Sequence, residues 1–439
     1  MKKEEGSHET MEEAECRSIR VSLIGVLTAC GTSSERSSED NLELTVWTFT
    51  DELSTMINEY YLPAHESLDY EIKIVEIPSD QFETKLDPVL GTRNAPDVIA
   101  LESAFVKKYV ESGLMADLGE YGLEEAASDT YLYVKDVGTS REGTLHALAW
   151  QAAPGGFYYR ASLAESLLGI TDADQMQAQI GDYEKFYEVA KEVKENSGGT
   201  VQMISSVQDL AKPFFGMRES GWVEDEKLII DDKLHELMDI SRRFVEEDLT
   251  KDTEGQSEAW FAGMNGETDF GYSLPTWGLH YWLKQNATSA DGSRTTEGDW
   301  RMIQGPSSWF WGGTWIGATD TSEMKEEAAA LIQYLTTDPE FLEQWAKDTG
   351  DFVSNEQVVE AIKSSYQEDF LGGQNHYNEF SEMVQSINAK ILTEYDQTIE
   401  TLFIDHCLTP YSKGETDKES AIQNFKDAVA NAYPDLEID

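Results

Sequence analysis

The chain has 439 residues, enough for two or three domains around a large core. Its 33 Lys and Arg against 84 Asp and Glu leave a formal charge of −51, which repels phosphate backbones and anionic lipid and disfavours nucleic acid as a partner. A content of 40% hydrophobic and 11% aromatic residues excludes global disorder, because disordered acidic chains are poor in aromatics.

Near the N-terminus an apolar run, VSLIGVLTAC, closes on Cys30, and GTSSERSSEDN follows it at residues 31–41. The Leu27-Thr28-Ala29-Cys30 ending resembles a bacterial lipobox. It implies a lipoprotein signal peptide over residues 1–30, a lipid anchor on Cys30 and a Ser-rich tether to the membrane. Glu4, Glu5, Glu9, Glu12, Glu13 and Glu15 do not suit a basic leader, whereas a later start would leave Arg17 and Arg20 as its basic flank. Cys16 and Cys407 complete a scattered set of three cysteines that suits neither a zinc site nor a disulfide framework. No other run reaches the roughly 20 apolar residues of a membrane span, and no motif asks for a cofactor.

From residue 42 the alternation in LELTVWTFT predicts a strand over 42–50, followed by an amphipathic helix over 51–61 that Pro63 stops. A strand at 70–77, a helix at 81–90 and a short buried strand at 98–101 come next. This order indicates a mostly parallel α/β sheet, with ligands expected beyond the carboxyl ends of its strands, at Trp47 to Asp51 and at Glu102-Ser103. A helix over 105–113 precedes HALAWQAAPGGFYY, read as two extended halves about a Pro154-Gly155-Gly156 break. Helices are predicted at 183–196 and 232–247, with 203–210 unassigned between them. An aromatic run fills 260–284. Helices are again predicted at 323–336 and 338–347, with Pro339 in the favoured first turn, and continue to residue 433.

The stretch GDWRMIQGPSSWFWGGTWIG, residues 298–317, concentrates four tryptophans around Gly312-Gly313. If it is extended, Trp309, Trp311 and Trp315 share parity and project from one face, where they can stack on a ligand ring or pack into a core.

Taken together, the lipobox with its tether, LTVWTF, APDVIALESAFVKKYVESGLMADL, ALAWQAAPGGFYYR, WFAGMNGETDFGYSLPTW, IQGPSSWFWGGTWIGA and TTDPEFLEQW resemble the extracellular solute-binding proteins of ABC importers, in their sugar-binding family 1. The resemblance runs from residue 42 to about 355. It implies a two-lobed, periplasmic-binding-protein-like α/β fold with strand crossings at the hinge. Lobe 1 is then 42–150 plus 306–337, and lobe 2 is 151–305 plus 338–439. It further implies a monomer that is not an enzyme, lipid-anchored outside the cell membrane, which captures a carbohydrate and hands it to ABC permease subunits. Carried onto this sequence, the ligand contacts implied are Glu102, Trp150 and Gln151 at the first crossing, Trp277, Trp309, Trp311, Gly312 and Gly313, and Asp351 in a late loop. Trp47 and Thr48, at the end of the first strand, and Tyr272, ahead of Trp277, are expected to join them. Leu101 and Ala104 stand where relatives carry an aromatic and an acid, so the first-lobe contact is expected to be shifted.

Sugars present hydroxyls at their edges and C–H groups on their faces, so carboxylates and amides beside indoles suit them. For Glu102 the alternative is a cap or solvated carboxylate, and for Arg160 a structural ion pair rather than a partner of site acids. Two other functions stay open. A glycoside hydrolase would find carboxylate pairs among 84 acids by chance, but no G-x-S-x-G, H-E-x-x-H or phosphate-loop motif is present. A surface adhesin would bind no small ligand.

Overall fold

Alternation in LELTVWT puts Leu44, Val46 and Thr48 on one buried face of the first strand, β1 (Leu42–Thr48). The computed structural model describes residues 42–438, so Cys30 and the expected signal peptide and tether lie outside the described residues. The strands that follow are β2 (Tyr70–Glu76), β3 (Val98–Glu102), β4 (Leu148–Ala149), β5 (Pro154–Arg160), β6 (Val223–Glu224), β7 (Lys227–Leu228), β8 (Gly271–Pro275), β9 (Trp300–Ile303), β10 (Trp309–Phe310) and β11 (Thr314–Ala318). A five-stranded sheet has the order β2-β1-β3-β11-β4. Its β1, β2 and β3 are parallel, as expected of strands joined by helices, while β11 returns antiparallel to β3 and β4.

The second sheet departs from the expected parallel arrangement. Its central strand β5 is antiparallel to β8 on one edge and to β9 and β10 on the other. The chain enters this lobe along β5 and leaves along β9 and β10, so the two paths must run in opposite directions. Pro154-Gly155-Gly156 is also not a break, since β5 begins at Pro154, where a missing N–H is tolerated. The glycines serve close approach: a Cβ on Gly155 would come within 2.3 Å of the Trp309 ring, and one on Gly156 within 2.7 Å of the Ile303 carbonyl.

Alternation along β5 divides the interior in two. Tyr158 joins Tyr272, Trp260, Trp300 and the residues of the first sheet in one core, while Phe157 and Tyr159 join Phe186, Phe270 and Ile303 in the other. The long helices Tyr183–Asn196, Asp232–Glu246, Lys325–Thr337 and Pro339–Thr349 follow their predicted spans closely, whereas Ser79–Leu86 and Val106–Val110 are shorter than expected and Ala161–Leu168 and Ala173–Ile180 were not expected. Part of the acidic excess is used at their starts, where Asp182, Asp231 and Asp338 cap the helices Tyr183–Asn196, Asp232–Glu246 and Pro339–Thr349 by accepting backbone N–H groups. Pro63 does not stop the first helix where expected. A π-helical stretch, Met56–Tyr61, widens the helix ahead of it and carries the chain on to Ala64.

Three passes of chain lie side by side between the sheets. Residues 150–153 lead from β4 to β5, and 311–313 lead from β10 to β11, with the Trp311 N–H donating to the Ala153 carbonyl at 3.1 Å. Residues 351–354 run alongside the first pass, where the Ala152 N–H donates to Phe352 at 2.8 Å and the Ser354 N–H to Trp150 at 2.9 Å. The parity expected of Trp309, Trp311 and Trp315 does not hold, because Gly312 and Gly313 at φ +80° and +99° break the strand between β10 and β11.

Candidate functional site in the cleft

At the carboxyl end of β3 the chain turns through Glu102, Ser103 and Ala104. The Ser103 hydroxyl donates to Glu102 Oε1 at 2.8 Å and accepts from the Gly312 N–H at 3.1 Å. The Ser103 N–H donates to the Gly313 carbonyl at 3.2 Å. These bonds fasten the 311–313 pass to the end of the first sheet. Glycine is required at 312 because its φ is left-handed and a Cβ would sit 2.2 Å from Trp277 Nε1.

That close approach fixes a wall of indoles. Trp277 Nε1 donates to the Trp311 carbonyl at 2.7 Å. The rings of Trp277, Trp282 and Trp311 meet edge to face with centroids 4.5 to 5.5 Å apart. Edge-to-face geometry satisfies the ring quadrupoles and holds each ring in place.

Two cavities adjoin the wall. One of about 320 Å³ is lined by Ser103, Ala104, Lys212, Phe215, Trp311 and Glu400, among others. Its volume falls at the small end of ordinary ligand pockets. Lys212 lies 5.5 Å from the Trp311 ring centre and pairs with Glu400. Burial raises the pKa of Glu102 behind it, against the hydrogen bonds of Ser103 and Ala104 and the charge of Lys212.

The other cavity, of about 240 Å³, is lined by Asp51, Glu52, Trp277, Tyr281, Trp345 and Asp351, with others. Tyr281 donates to Glu52 at 2.9 Å, and Trp345 Nε1 to Asp351 at 3.2 Å. Burial, then the charges of Asp351 and Asp51, push the Glu52 carboxyl up to about 7. Burial pushes Asp351 up to about 6.

Of the residues expected at the ligand, Trp277, Trp311 and Asp351 line these cavities, and Glu102, Gly312 and Gly313 stand directly behind them. The others are placed elsewhere. Trp47 packs half-buried on the first core, and the Thr48 hydroxyl closes the turn at the end of β1 by bonding Thr50. Trp150 is wholly buried, and Gln151 pairs with Val353 in the crossing. Tyr272 is buried with its hydroxyl on the Trp260 carbonyl, and Trp309 covers Gly155. Arg160 makes the structural ion pair, with Asp299 at 2.7 Å.

Residues not singled out from the sequence also reach the cavities. Glu52 directly follows the 47–51 candidate stretch, Tyr281 lies inside the aromatic run over 260–284, and Trp345 ends TTDPEFLEQW. Lys212, Asn388, Gln397 and Glu400 had no local signal, since they converge only through the folding of the C-terminal third onto the cleft. Among the described residues no His, Cys, Asp and Glu cluster is placed to hold a metal ion, and no helix is long and apolar enough to cross a membrane.

Two α/β lobes joined by adjacent crossings, with an aromatic cleft beyond the strand ends, define a two-lobed binding protein. The chain belongs to the bacterial extracellular solute-binding protein family, whose profile matches residues 60–370. Curated proteins give no match. Among solved structures, an extracellular solute-binding protein of family 1 superposes with a TM-score of 0.76 at 18% identity, covering 88% of this chain and 99% of that one. The ABC transporter associated binding protein from B. animalis subsp. lactis Bl-04, in complex with beta-1,6-galactobiose, gives 0.67 at 18% identity over 91% and 100%. The galacto-N-biose-/lacto-N-biose I-binding protein of Bifidobacterium longum, in complex with lacto-N-biose, gives 0.69 at 15% over 92% and 100%. These likenesses establish the fold.

Proposed function

We propose that this chain is the substrate-binding lipoprotein of an ABC importer, anchored through Cys30 outside the cell membrane, and that it captures a sugar of more than one ring between its lobes for delivery to the permease subunits. The observation that carries the reading is the fixed wall of Trp277, Trp282 and Trp311, whose rings adjoin two cavities that each combine apolar surface with charged side chains. Indole faces match the C–H faces of sugar rings, and Lys212, Glu400, Glu52 and Asp351 supply partners for edge hydroxyls. Trp277, Trp311 and Asp351 are the contacts, with Glu102, Gly312 and Gly313 holding the loop that presents them. The structural relatives solved with disaccharides support this choice of solute.

The lobes, taken as 42–150 plus 306–337 and 151–305 plus 338–439, close on the ligand as a monomer. Contacts to both lobes favour the closed state, so the solute shifts a pre-existing equilibrium. The test is calorimetry and thermal shift against a panel of disaccharides and trisaccharides, since a ligand of the native state must raise the melting temperature. One sugar should bind and compact the protein in solution scattering. Absence of heat across the panel favours a surface adhesin, and turnover of an oligosaccharide by the pure protein overturns the reading in favour of a hydrolase.

A further inference from the structure

The smaller cavity is electrically unbalanced. Its carboxylates, Asp51, Glu52 and Asp351, face rings of Trp277, Tyr281 and Trp345, and neither lysine nor arginine lines it. His280 also borders it, but burial pushes its imidazole down to about 4, so it is neutral at pH 7. Lys284, whose charge reaches His280, is committed to Glu368 at 2.9 Å. Glu52 feels Asp351 and Asp51 as like charges. Asp351 accepts from Trp345 Nε1 at 3.2 Å, and wholly buried Trp150 lies behind it, so the polar groups close to this carboxyl are neutral indoles and none is a cation.

The contrast with the larger cavity is informative, because there Lys212 is matched by Glu400, and Arg218 by Asp396 at 3.0 Å. Buried carboxylates without a cation are costly unless a ligand supplies the charge. Aromatic faces around them stabilise a cation and not an anion.

We propose that the smaller cavity receives a protonated amino group of the solute, bound by Glu52 and Asp351 and enclosed by Trp277, Tyr281 and Trp345, so that the solute is an amino sugar. This rests on the sugar reading and narrows it. A neutral hydroxyl in the same place brings no charge, so the carboxyls stay partly protonated, whereas an ammonium favours both in their ionised form.

The test is calorimetry at pH 7 on the purified protein with matched disaccharides in gluco and galacto series, each with a free amine, an N-acetyl group or a hydroxyl at the 2-position, and with spermidine as an amine without a sugar. The expected result is that a free-amine disaccharide binds at least about tenfold more tightly than its acetylated and hydroxyl counterparts. That ratio should collapse towards one in Glu52→Gln and Asp351→Asn, whose melting curves verify folding. Equal or tighter binding of a hydroxyl or acetylated form overturns the amine inference and leaves the sugar reading standing. Spermidine binding with no sugar binding supports a cation site and overturns the sugar. Silence from every probe overturns both.

Discussion

Trp311 and Trp315 stand four residues apart in one stretch and have opposite surroundings. Trp315 is 1% exposed, with its indole N–H on the Val134 carbonyl at 2.9 Å inside the first core. Trp311 is half-buried, lines the larger cavity and carries Lys212 over its ring. The two left-handed glycines between them turn the chain, so a residue that strand alternation would bury is presented to the cleft. The comparison teaches that a tryptophan-rich segment can serve stability at one end and recognition at the other, with a backbone break as the divider.

This contrast can be broken by substitution. The largest effect on stability is expected from Trp315→Ala, about 3–5 kcal/mol by analogy with other core tryptophan truncations, read as a lower denaturant midpoint. Gly312→Ala comes next. It adds a Cβ 2.2 Å from Trp277 Nε1 and forces an L residue into a left-handed φ, so about 1–3 kcal/mol should be lost. Sugar affinity should fall with it, because the indole wall moves. Trp311→Ala should lower the melting temperature of the free protein by far less than Trp315→Ala does, since only ring contacts at the cleft surface are lost, while weakening sugar binding about tenfold, the scale of one aromatic contact. Equal stability losses for Trp311→Ala and Trp315→Ala would erase the distinction.

The smallest effect concerns the carboxylates beside the wall. Glu52 and Asp351 have folded values of about 7 and about 6, above their ordinary 4.5 and 3.8. The folded state therefore holds more protons than the unfolded one between these limits. The stability they contribute is fully present below about pH 4 and is lost as pH rises through 6 to 7. The ligand-free melting temperature should decline from pH 5 to pH 8, and Glu52→Gln should flatten that slope. A saturating ammonium-bearing ligand should flatten it as well, by favouring the ionised pair.

How far the site was legible depended on the range of the signal. Gly312-Gly313 and Trp311 could be singled out because a glycine pair beside indoles is a local pattern. Trp150 and Tyr272 shared that aromatic character yet lie in the core, since composition does not say which face of a strand meets solvent. Lys212 and Glu400 are 188 residues apart, and nothing near either one announces the other.

The sequence by itself determined the strand and helix order of the first sheet, the spans and capped starts of the long helices, and the glycines at the crossing. These follow from side-chain periodicity, hydrogen bonding by Asp at helix ends, and the steric freedom of glycine, all of which act over a few residues. Only the tertiary structure decided which tryptophans line the cleft, that the C-terminal third reaches it, that the second sheet is antiparallel, and that one cavity balances its charges while the other does not. Each of those depends on which distant surface packs against a given residue, and that is settled by burial across the whole chain.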